Sequence, residues 1–122
     1  MEKVIVWFEI PVNDFVRAKK FYSKIMQFDI KEETIGNDLM GFFPGEKGEV
    51  NGAIVKGEGF EPGGKGTIVY LNGGDNLQVF LDRVEPAGGK IIVPKTRIAE
   101  EHGYYAWFLD TEGNKLGLWS EK

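Results

Sequence analysis

The sequence predicts an α+β fold: two βαβββ modules forming one open, barrel-like sheet around a cleft. Three observations predict it. Residues 3–43 run apolar strand, Asp-led amphipathic helix, short strands, and residues 66–120 repeat that order. Neither half is long enough to bury a good core alone, so the halves are expected to pack together. A chain of 122 residues with nine Phe, four Tyr and three Trp has the size and the bulky side chains for one such domain. The modules are expected over residues 1–56 and 66–122, with the boundary near 57–66.

The first strand is read over Val4–Ile10. Both of its faces are apolar until Glu9, as in a strand covered by a helix on one side and lining an interior on the other. Pro11 cannot donate a ladder bond and ends it. Asp14 is the expected N-cap of a helix whose apolar stripe is Phe15, Ala18, Tyr22, Ile25 and Met26, with Phe21 beside it. Short strands are expected at 29–34, 39–43 and 50–56. The stretch 44–66 is Gly-rich and reads as a turn-rich linker. It lacks the strand–GxxxxGK[ST]–helix arrangement of a phosphate loop.

In the second half, Thr67–Leu71 reads as a strand. Asp75 or Asn76 caps a helix with the stripe Leu77, Phe80, Leu81, Val84 and Ala87, and Gly88–Gly89 stops it. Strands follow at Lys90–Val93, Tyr104–Leu109 and Lys115–Ser120. A polar loop is expected over 95–103, and the turn DTEGN joins the last two strands.

Composition narrows the function. A formal charge of −4 disfavours a general nucleic-acid binder, and no basic, base-stacking stripe is present. With no Cys there is no disulfide, thiol nucleophile or thiolate metal site. No apolar run approaches about 18 residues, so no membrane span is expected. The N-terminus lacks an export-signal pattern, which makes the cytoplasm the default compartment.

Three segments carry a family resemblance. PVNDFVRAKKFYSKIMQF (11–28), RVEPAGGKIIVP (83–94) and YYAWFLDTEGNKLGLW (104–119) together resemble the vicinal oxygen chelate superfamily, the glyoxalase/bleomycin-resistance/dioxygenase fold. Thr111 stands where that family usually has Pro in its closing turn. The resemblance implies a divalent metal in the enzymes of the family, held by His, His and Glu. Counting from the motifs, those positions fall on Trp7, on Val69 (flanked by Ile68 and Tyr70) and on Gly117. None can ligate a metal ion, so no metal and no cofactor are expected.

The candidate ligand-binding residues are therefore Trp7, Glu9, Val69, Gly117 and Trp119. Glu9 shares a strand face with Trp7, where burial would raise its pKa and suit it to acid–base work or ligand recognition. A rim carboxylate paired with Lys is the plainer alternative. His102, the sole histidine, is the other catalytic candidate, set against an exposed loop His with no role. Trp7, Tyr105, Trp107 and Trp119 are either sheet packing or a stacking cavity for a planar ligand, and room is expected beside Trp119 at Gly117. Arg97 could grip an anion from its loop.

The leading expectation is a metal-independent small-molecule binding protein of the glyoxalase/bleomycin-resistance type, taking a small apolar or aromatic ligand. A metal-independent lyase or isomerase using Glu9, and a purely structural or interaction role, are the alternatives. Open sheet edges and the resemblance both suggest a homodimer.

Overall fold

The computed structural model describes residues 4–46 and 48–122, so the start of the first expected module and one position of the Gly-rich stretch lie outside it. The first module contains β1 (Trp7–Pro11), α1 (Phe15–Met26), β2 (Lys31–Ile35), β3 (Asp38–Phe42) and β4 (Asn51–Lys56). The second contains β5 (Tyr70–Asn72), α2 (Gln78–Val84), β6 (Lys90–Ala99), β7 (Gly103–Leu109) and β8 (Lys115–Ser120). The strands form two four-stranded mixed sheets, ordered β1-β4-β3-β2 and β5-β8-β7-β6. The sheets curl open and do not close into a barrel. Register repeats between modules: Trp7 lies opposite Asn51 in the parallel β1–β4 pair, and Tyr70 lies opposite Gly117 in the parallel β5–β8 pair.

Asp14 caps α1 as its sequence suggests, its Oδ1 accepting from the Arg17 amide at 3.0 Å. The stripe Phe15, Ala18, Phe21, Tyr22 and Ile25 is buried, and Gln27 closes the helix in the left-handed region at φ 57°. The shorter α2 starts without a side-chain cap on Leu77. Ser120 Oγ accepts from the Leu77 amide at 3.0 Å, and Asn76 Oδ1 accepts from the Gln78 amide at 3.0 Å.

Four local expectations change. Val4–Val6 do not pair, and β1 begins at Trp7 because its partner β4 begins at Asn51. Likewise β5 keeps only Tyr70–Asn72 of its expected start, matched to Gly117–Trp119. The expected loop over 95–103 is mostly strand: β6 runs through Pro94 to Ala99. Register shifts on either side of Val93 and again after Arg97 let a residue without an amide hydrogen sit in the strand. Arg97 is therefore a strand residue opposite Tyr104, and the true turn is Glu100–His102, with Glu101 at φ 67°.

One core joins the modules. Ile10, Tyr22 and Ile54 from the first share it with Leu81, Phe108 and Leu118 from the second. Phe21 on α1 meets Phe108 on β7 with ring centroids 5.9 Å apart.

Polar groups reinforce that junction at the β7–β8 turn. Asp110 is buried and accepts from the Tyr22 hydroxyl at 2.6 Å. It also accepts from the amides of Glu112 and Asn114 at 2.8 and 2.9 Å. The Asn114 side chain donates to the Pro11 carbonyl at 2.7 Å and accepts from the Gly63 amide at 2.9 Å, tying β1 and the linker to the turn. Glu112 reaches the start of α1. Its Oε1 accepts from the Asn13 and Asp14 amides at 2.9 and 2.6 Å, and its Oε2 from Arg17 Nε at 2.7 Å. A carboxylate there meets free amides and the positive end of the helix dipole.

The surroundings shift these two carboxyls in opposite directions. Burial alone would push Glu112 up, but the Arg17 hydrogen bond and the amides of Asp14 and Asn13 outweigh it and hold the group below the ordinary 4.5. Its stabilisation is complete above that value and is lost as pH falls through the folded-state value. Burial dominates at Asp110 and raises it above 3.8, although Tyr22 and Asn114 pull it back. Its contribution is complete below 3.8 and is lost as pH rises through the folded-state value. Glu112→Gln is expected to flatten the fall in melting temperature between neutral pH and about pH 3. An unchanged acid limb in the variant would show that Glu112 is not responsible for it.

Candidate functional site

Helices cover one face of each sheet, and Trp7, Gly117 and Trp119 lie on the other. On β7 and β8, Ala106, Phe108, Leu116 and Leu118 point into the core, so Tyr105, Trp107, Gly117 and Trp119 point away from it. On β5, Leu71 packs inward and Tyr70 outward. Tyr70, Ile98, Tyr105, Trp107 and Trp119 thus line a hollow of about 470 Å³ on the helix-free face of the second sheet. Tyr105 meets Trp107 edge-on at 6.0 Å. The Trp107 indole donates to the Tyr70 hydroxyl at 2.7 Å, and the Trp119 indole donates to the His102 carbonyl at 2.9 Å. Both indoles are held by their N–H groups, and their rings line the hollow. This cradle can stack a planar apolar molecule.

The candidates read from sequence divide among several hollows. Trp7 lies on the helix-free face of the first sheet against Phe42, with centroids 5.9 Å apart. It borders an apolar groove of about 740 Å³ between β1 and β5. Trp119 lies in the cradle, and Tyr70 borders both spaces. Glu9 is exposed and accepts weakly from the Trp7 indole at 3.3 Å. It lines a polar hollow of about 180 Å³ with Glu61, Lys65, Thr67, Asn114 and Lys115. His102 is exposed at the β6–β7 turn and shares none of the described hollows with Glu9.

Val69 packs its side chain against the main core and borders the polar hollow and the apolar groove, not the aromatic cradle. Strand alternation explains this: Val69 and Leu71 face the core, so Tyr70 between them faces outward as Trp7 does. Gly117 does not open the expected room, because a Cβ there would run into the Tyr70 ring. Counting centred on Val69 kept Tyr70 only as a flanking position, and strand alternation against the inward Leu71 was the signal that could have chosen it.

The side chains at Trp7, Val69, Tyr70 and Gly117 do not fit a divalent metal. None is a carboxylate or imidazole, and no group of three His, Cys, Asp or Glu converges among the described residues.

Residues 4–118 match the Glyoxalase/Bleomycin resistance protein/Dioxygenase superfamily. The chain belongs to that superfamily. Several solved structures share the fold of this chain. A glyoxalase I variant from Zea mays aligns over 95% of this chain with a TM-score of 0.75 and 19% identity, and the present chain spans 45% of its length. TnmS3, an antibiotic-binding protein from Streptomyces sp. CB03234, aligns over 98% of this chain and 97% of its own, with a TM-score of 0.64 and 24% identity. FosX, a fosfomycin resistance protein from Listeria monocytogenes, aligns over 100% of this chain and 96% of its own, with a TM-score of 0.70 and 13% identity. At these identities the likeness is one of fold. No curated protein matches the chain in sequence. No helix among the described residues is long and apolar enough to cross a membrane.

Proposed function

We propose that this member of the superfamily is a small-molecule binding protein that works without a metal and stacks a planar aromatic ligand on its second sheet. The observation that carries this reading is the cradle of Tyr70, Tyr105, Trp107 and Trp119. Four aromatic rings line one helix-free sheet face, and two of them are fixed by hydrogen bonds from their indole N–H groups. Tyr70 and Trp119 are 47% and 41% exposed, too open to be explained by core packing. TnmS3, with the same fold, is an antibiotic-binding protein, which is consistent with such a role. A second copy that covers the exposed aromatic faces and the free edges of β1 and β5 would complete the site as a homodimer.

Naphthylmethanol, a neutral planar probe, should quench or shift the tryptophan fluorescence saturably. Trp119→Ala should weaken its binding by about 1–3 kcal/mol, the scale of one lost aromatic stack. No saturable binding, or equal binding by the variant, would remove the cradle from the proposal. Sedimentation of the same samples should give a dimer, and a 13.7 kDa species at every concentration would remove the second copy.

A further inference from the structure

We infer that the ligand is a planar aromatic anion and that Lys115 takes its acidic group. The inference rests on the aromatic reading of the cradle and goes one step further, to the charge of the ligand. Lys115 begins β8, two residues from Gly117 and therefore on the same helix-free face. Its ammonium stands 4.7 Å from the centre of the Trp107 ring, which anchors it at the edge of the cradle. It belongs to neither ion pair among the described residues, which are Arg17–Glu112 and Lys19–Glu32. No hydrogen bond within the described residues uses its ammonium. Lys95, the other lysine set over an aromatic ring on this module, is engaged with Asn76 at 2.8 Å.

Apart from the Tyr105 hydroxyl, which can donate or accept, the remaining polar groups of the cradle are biased towards donation. The indole N–H groups of Trp107 and Trp119 are already used within the protein. Because the Tyr70 oxygen accepts from Trp107, what it has left to offer is chiefly its own hydrogen. Lys115 adds up to three donors and no acceptor. A ligand that matches this set carries its acceptors at one edge and a negative charge beside Lys115. Lys115 also borders the polar hollow that Glu9, Glu61 and Lys65 line, and neither carboxylate lies within ion-pairing distance of it.

Three probes of one ring system test this: naphthoate, naphthylmethanol and naphthylmethylammonium, titrated into the full chain by calorimetry. Naphthoate should bind about tenfold more tightly than the alcohol, and the ammonium compound most weakly. That excess should fall with added salt. Lys115→Gln should erase the preference for naphthoate while leaving the alcohol unchanged, and Lys115→Arg should keep most of it. Equal binding of naphthoate and alcohol, or a preference that survives in Lys115→Gln, overturns the anion inference and leaves the aromatic site standing. Failure of all three probes overturns both.

Discussion

Asp110→Ala is expected to lower the unfolding free energy by about 3–5 kcal/mol, because several polar groups lose one acceptor at about 1–3 kcal/mol for each left buried and unpaired. The loss reaches beyond one hydrogen bond. Without that carboxylate the Tyr22 hydroxyl, the amides of Glu112 and Asn114 and the Asn114 side chain lose their shared acceptor. The turn that then loosens is the one that caps α1 through Glu112 and holds β1 through Asn114. Tyr22→Phe removes only one donor and should cost less, about 1–3 kcal/mol. Equilibrium denaturation of the three proteins measures the difference. Parent-like stability of Asp110→Ala would show that the turn does not hold the modules together.

Phe108→Ala should cost about 3–5 kcal/mol through lost burial and the cavity left behind. The ring is fully buried and sits against Phe21 across the module boundary. Because both modules contribute to that core, we propose that the chain unfolds as one unit. The variant should therefore melt in a single transition shifted to lower denaturant. Two separated transitions, with the first module persisting, would show independent folding instead.

Much of the fold was legible because its signals are local. The Asp14 cap, the stripe from Phe15 to Ile25 and the β7–β8 turn lie within short windows of sequence. Strand limits were less legible because a partner sets them. Val4–Val6 are as apolar as any strand, yet β4 offers them no pairing residues. The extent of β6 was hidden by Pro94, whose missing amide hydrogen is accommodated only where the register shifts. At the site, the outward direction of Trp7 and Trp119 followed from strand alternation. Tyr70 and Lys115 did not, because their roles depend on contacts with Gly117 and Trp107 across strands. The roles of Asp110 and Glu112 were equally hidden, since their partners lie 88 to 99 residues away in the chain.

The packing of Tyr70 over Gly117 also limits how this scaffold can change. In the metal-dependent pattern that the sequence resembles, the position that counting matches to Gly117 carries a carboxylate. Here any side chain at that position meets the Tyr70 ring first. The two sites are epistatic: an acidic residue at 117 is tolerable only after Tyr70 has shrunk or turned aside. Losing the Tyr70 ring alone would strip the partner from the Trp107 indole and open the cradle before any ligand for a metal had been gained. If the cradle binds as proposed, an adaptive path from aromatic binding to metal chemistry on this backbone crosses an intermediate poorer at both, which acts as a ratchet against reversal.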